Sequence, residues 1–199
     1  MRLLVKPITL IVVCLAILIG CEAEKKVIDL EQLQSRQGIF YELNSTEPYT
    51  GTVVNWYENG QKRMESNYVD GKREGLVTEW HENGQKQLEG NIVDGKAEGL
   101  VTEWYESGQK WSEKNFVGGE LDGLWTVWYD HGQKKRERSF VDGELEGRYT
   151  EWYENGQKKD ERNFVDGKVH GPASIWYENG QKISESNYVD GELVDSRLF

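Results

Sequence analysis

The chain has 199 residues, with 35 acidic against 24 basic side chains and a formal net charge of −11. That balance counts against nucleic acid as a partner, since such affinity is built from clustered Lys and Arg. It counts equally against direct docking on an anionic membrane surface. It fits a basic protein or a neutral glycan, and it also keeps a thin sheet soluble.

The N-terminus stands apart. Arg2 and Lys6 form a short basic start, and Ile8 to Ile19 is an apolar run too short for a comfortable membrane span. Leu18-Ile19-Gly20-Cys21 follows at once. The segment resembles a secretory signal ending in a bacterial lipobox, so residues 1–20 are set aside from fold reasoning. The resemblance implies cleavage before Cys21, lipid attachment at that residue, and a place in the bacterial cell envelope facing the periplasm or the exterior. The other reading is an uncleaved N-terminal anchor helix. Of the two cysteines, Cys14 would leave with the signal and Cys21 would carry lipid, so no disulfide is expected. Residues 22–36 are polar and lack a period. Residues 21–37 are therefore read as a lipidated tether, and residues 38–199 as the folded domain. Ile39-Phe40-Tyr41-Glu42-Leu43 predicts a degenerate leading strand that caps an edge.

From Thr50 onward the chain repeats. Trp56, Trp80, Trp104, Trp128, Trp152 and Trp176 stand 24 residues apart, and a fixed period of this size marks a repeat array. Within the six copies Gly51, Gly60-Gln61-Lys62, Glu65, Val69 and Gly71 keep their identity at every equivalent position. Each copy predicts two strands. The first is rich in Val, Thr, Trp and Tyr, which suit a pleated, half-buried surface. A turn signal such as Asn59-Gly60 follows. The second strand ends in an aromatic or Ile before Val, as in Tyr68-Val69, and Asp70-Gly71 then turns the chain into the next copy.

Ser107 and His131 replace the Asn of Asn-Gly in two copies. A type I′ turn needs positive φ at both central residues, so a three-residue loop with positive φ only at Gly is preferred. That loop sets Trp56 opposite Lys62, with the ammonium over the indole. The fold class is therefore all-β: an elongated antiparallel β-meander of six 24-residue β-hairpin repeats. At about 9.6 Å per two-strand copy the sheet would run roughly 58 Å. The six tryptophans form a ladder on one face, and Tyr68, Ile92, Phe116, Phe140, Phe164 and Tyr188 are expected beside them. Tyr57, Val53 and Val69 are expected on the other face. Val194 to Phe199 breaks the pattern and is expected to cap the far edge.

The run Tyr-Glu-Asn-Gly-Gln-Lys, followed by aromatic-Val-Asp-Gly-Lys and the next Gly, resembles the variant MORN repeat of bacterial proteins, including those named YwqK-family antitoxins. The likeness covers about residues 38–195. It implies a β-hairpin array used in protein interaction. An antitoxin would normally meet its toxin in the cytosol, whereas a lipoprotein signal sends this chain outside. MORN repeats elsewhere are linked to phospholipid head groups, which the acidity here disfavours.

Catalytic chemistry is not signalled. His81, His131 and His170 occupy three different positions of the repeat and pair with nothing in sequence. Asp142-Gly143-Glu144 and its equivalents invite calcium, but turn chemistry already explains Asp and Gly there, and no Asp-x-Asp-x-Asp-Gly loop occurs. The Glu at 65, 89, 113, 137, 161 and 185 predicts a ladder paired with Lys or Arg rather than two converging acids. No nucleophile motif or phosphate loop is present. Neither an enzyme nor a cofactor nor a metal is expected. The expected role is a protein-binding scaffold, with an envelope glycan (peptidoglycan or polysaccharide) binding module and an antitoxin or immunity-type binder of a toxin as the alternatives. The candidate binding residues are the six tryptophans, read either as packing or as an exposed aromatic platform.

Overall fold

A computed structural model describes residues 26–199. The signal and Cys21 lie outside the described residues. Three strands precede the array: β1 (Val27–Asp29), β2 (Leu33–Arg36) and β3 (Ile39–Glu42). The array begins with β4 (Gly51–Trp56), β5 (Lys62–Val69), β6 (Lys72–Trp80), β7 (Lys86–Val93), β8 (Lys96–Trp104) and β9 (Lys110–Val117). It continues with β10 (Glu120–Leu121), β11 (Gly123–Trp128), β12 (Lys134–Val141), β13 (Glu144–Trp152) and β14 (Lys158–Val165). It closes with β15 (Lys168–Val169), β16 (Gly171–Trp176), β17 (Lys182–Val189) and β18 (Glu192–Leu198). From β4 to β18 each long strand pairs antiparallel with the next in one sheet, so the meander is as expected.

The two turns of each copy obey different rules. At the Trp hairpin, Gly60 N–H donates to Tyr57 C=O at 2.9 Å and Tyr57 N–H donates to Gln61 C=O at 2.8 Å. Gly60 has φ +83°, and the pattern recurs at Gly84, Gly108, Gly132, Gly156 and Gly180. This is the three-residue loop, with left-handed backbone only at Gly. Between copies, Val69 pairs with Lys72 across Asp70 (φ +48°) and Gly71 (φ +74°). Positive φ at both central residues is the two-residue type I′ turn, which Asp-Gly favours.

Two bulges then decide which side chains share a face. Trp56 pairs with Lys62, but Asn55 pairs with Met64, so Arg63 is an extra residue. The same shift occurs beside every other Trp of the ladder. One extra residue inverts the side-chain alternation of the rest of the strand. Consequently Tyr68 pairs with Gly51 and lies with Val53 and Ser66, opposite the face that holds Trp56, Val54, Glu65 and Thr52. The expectation that Tyr68 and its equivalents share the Trp face is thus corrected, as is the placement of Val53 away from them. The second bulge explains the Gly at the start of the second and later copies. Ser66 pairs with Val77 and Tyr68 with Arg73, leaving Glu74-Gly75-Leu76 against Asn67. Gly75 takes φ +82° there.

The supposed tether is partly folded. Ile28 is buried, and β1 runs parallel to β4 with Ile28 beside Val53, covering that edge of the sheet. A short 3₁₀ turn, Leu30–Gln32, leads into the β2–β3 hairpin, which forms its own two-stranded sheet. The leading strand therefore pairs with β2 and not with the array, and the hairpin packs on the Tyr68 side. Phe40 meets Tyr68 edge-to-face at 5.3 Å, and Ile28, Tyr49, Val53 and Tyr68 form the buried cluster, with Leu33 and Phe40 against it. At the other end β18 is exposed along its whole length and covers β17 alone.

Candidate functional site

The Trp face is built the same way in each copy. Every ladder Trp stands opposite its Lys: Trp56 with Lys62, Trp80 with Lys86, Trp104 with Lys110, Trp128 with Lys134, Trp152 with Lys158 and Trp176 with Lys182. The Lys 62 ammonium lies 6.0 Å from its own indole and 5.2 Å from that of Trp80 in the next copy. Lys86 reaches Trp104 at 5.8 Å and Lys158 reaches Trp176 at 5.8 Å. Lys62 therefore lies between two successive indoles, and Lys86 and Lys158 each lie by the indole of the next copy. Trp56 is 48% exposed, and the other five are half-buried.

The glutamates form the expected ladder one step inward. Each ladder Glu is ion-paired with the Lys three residues before it, from Lys62–Glu65 to Lys182–Glu185. Most of this pairing is within a strand, where a cross-strand pair was expected, but Glu161 also pairs across the strands with Arg148; across the strands each Glu faces a hydroxyl, as Glu65 faces Thr78 and Glu161 faces Ser174. Phe199 adds a further ring at the end of the row: Lys182 lies 5.6 Å from Trp176 and 5.7 Å from Phe199.

Two rows of hydrogen bonds join neighbouring copies along the turns. Tyr57 donates its hydroxyl to Trp80 C=O at 2.7 Å, and Tyr105, Tyr129 and Tyr153 do the same to Trp128, Trp152 and Trp176. His81 takes the Tyr position, with Nε2 at 2.8 Å from Trp104 C=O, which requires the proton on Nε2. Asn59 Nδ2 donates to Glu82 C=O at 3.0 Å, and His131 holds the equivalent contact to Glu154. His81 and His131 thus join copies together. His170 Nδ1 lies 3.5 Å from Asp190 at the opposite turns. There, backbone N–H groups of Asp94, Gly118 and Asp166 donate to Glu74, Glu98 and Glu146. Sequence reasoning missed these clamps. Their only signal was the recurrence of a donor at one position of the period.

The opposite face carries an unanticipated row. Cross-strand pairs run Val101–Lys114, Trp125–Arg138, Arg138–Tyr149 and Tyr149–Arg162. Lys114 sits 5.6 Å and Arg138 4.0 Å from the Trp125 ring. Around them Glu151 accepts from Lys159 at 3.0 Å and from the Tyr149 hydroxyl at 2.9 Å, and Asp160 accepts twice from Arg162. Burial alone would raise Glu151. The hydrogen bonds from Lys159 and Tyr149 and the nearby charges outweigh it and hold the carboxyl below its ordinary value. Burial, then the charge of Arg136, lowers Arg138.

Six segments, residues 49–70, 73–94, 97–117, 121–142, 145–166 and 169–190, match the family model described as MORN repeat variant. The chain belongs to the MORN repeat variant family. Each matched segment corresponds to one Trp strand, its three-residue loop and the strand that returns, so the MORN unit and the structural unit coincide. No curated protein matches the chain.

Proposed function

We propose that this MORN-repeat chain is a lipid-anchored scaffold of the bacterial cell envelope, held through Cys21, which binds a protein partner along its Trp face. The observation that carries the reading is the row of half-buried indoles, each beside a lysine, at one regular step. Trp is enriched among residues that dominate binding energy, because a large rigid ring loses little entropy when it is covered. The Lys–Glu pairs around each ring form a polar rim of both signs. The anchor rests on the basic start, the short apolar run and Leu18-Ile19-Gly20-Cys21.

In-cell crosslinking of the full-length chain, followed by mass spectrometry, tests the scaffold. A dominant envelope protein, lost when Trp128 and Trp152 are both changed to Ala, is the expected result. Capture unchanged in that variant would remove the Trp face from the account. Cys21→Ser is expected to release the chain from the membrane fraction; retention there would sink the lipid anchor.

A further inference from the structure

The row on the opposite face is independent of the Trp ladder and differs in charge from the chain as a whole. Lys114, Trp125, Arg138, Tyr149 and Arg162 alternate cation and ring over successive strands. Arg136 and Lys159 flank them. The carboxylates among them lie deeper than most of the bases. Side-chain exposure is 15% for Glu103, 14% for Glu151 and 14% for Asp160, against 21% for Lys114, 34% for Arg136, 45% for Lys159 and 39% for Arg162. Positive charge is therefore what this strip presents to solvent. Arg138 has no carboxylate in ion-pair range among the described residues, and Nε of both Arg136 and Arg138 is buried without a hydrogen-bond partner.

We propose that this strip binds an anionic polysaccharide whose carboxylate recurs once per disaccharide. The spacing selects that ligand. Successive cations in the row are two strands apart, about 9.6 Å, with a ring midway. That step is of the order of one disaccharide, so each acidic sugar meets a guanidinium or ammonium while the neutral sugar lies over Trp125 or Tyr149. An extended polypeptide projects same-side residues every ~6.7 Å and falls out of step. From Lys114 to Arg162 the strip is roughly 19 Å long, enough for two disaccharides. Beside Lys114 a hollow of about 260 Å³ is lined by Arg73, Val77, Glu79, Leu88, Val101 and Phe116.

The test is affinity electrophoresis of the full chain in gels containing hyaluronan, an alternating polymer with one carboxylate per disaccharide. Chitohexaose and poly-L-glutamate serve as competitors. Retardation by hyaluronan that weakens with salt, resists both competitors and falls at least tenfold in Arg138→Gln is expected. Lys159→Gln, at a more exposed position, is expected to weaken retardation severalfold without altering the circular dichroism spectrum. Absence of retardation, or retardation unchanged in both variants, overturns the proposal. Equal competition by poly-L-glutamate also overturns it, in favour of an acidic polypeptide. Crosslinked capture through the Trp face is expected to persist in Arg138→Gln and Lys159→Gln, which separates failure of this inference from failure of the scaffold reading.

Discussion

Gly71 and Gly95 occupy the same turn position with nearly the same backbone, φ +74° and +77°. Their surroundings differ. A Cβ on Gly71 would lie 2.4 Å from Ile39 Cγ2 and 2.7 Å from Phe40 C=O, whereas one on Gly95 would meet nothing within 4 Å. Gly95→Ala is expected to cost about 1 kcal/mol for the left-handed backbone alone. Gly71→Ala is expected to cost at least twice as much, because the β2–β3 hairpin must also move. Urea unfolding of the two variants checks this, and equal losses would mean that the hairpin is not seated there. Tyr68 is 1% exposed beneath the same hairpin, and Tyr68→Ala is expected to lower stability by roughly 3–5 kcal/mol. The Gly that recurs at this position in every copy was readable as a turn signal. The contact with Ile39 was not, because Ile39 lies outside the repeat.

The element that governs recognition is the bulged hairpin. Without the extra residue at Arg63, the ladder Trp and Tyr68 would lie on one face, as simple alternation from the turn predicts. With it, the sheet has a Trp–Lys–Glu face and an opposite face carrying both the apolar cluster and the basic strip. Hairpins are then joined by the Tyr57-type clamp. Tyr105→Phe is expected to cost about 1 kcal/mol through loss of the hydroxyl bond to Trp128 C=O. Tyr177 stands in the last copy, 54% exposed, with no Trp carbonyl beyond it among the described residues. Tyr177→Phe is expected to be neutral. Thermal melts of the pair decide whether the clamp stabilises or merely accompanies the stacking.

Across the molecule these clamps make stability respond to alkali. Burial raises Tyr49, Tyr105, Tyr129 and Tyr149 above the ordinary phenol value of 10.0. A group whose folded value is raised lends stability that is complete below its unfolded value and is lost as pH rises through the folded one. The denaturation midpoint is therefore expected to hold up to about pH 10 and to fall above it. In Tyr105→Phe/Tyr129→Phe that fall is expected to be shallower; an unchanged slope would exclude these phenols as its source. The array should also tolerate loss of a whole unit. Deleting residues 99–122 brings Gly123 into the place of Gly99, and both are left-handed bulge residues, at φ +90° and +75°. Circular dichroism of that deletion is expected to keep the β signature.

The period of tryptophans, the three-residue loop and the Lys opposite each Trp were all legible in the amino acids, because they depend on contacts within one hairpin. Val, Thr and Trp choose strands, and Gly at a left-handed position chooses the loop. Three features emerged only in the folded sheet. The bulges set face by hydrogen-bond register, which residue spacing does not encode. Ile28 and the β2–β3 hairpin belong to the fold because they cover an edge and Tyr68, although their own segment has no period. Lys114, Arg138 and Arg162 share one position of the 24-residue period, and Trp125 and Tyr149 another, but that the two positions alternate along one row emerges only from the cross-strand pairing.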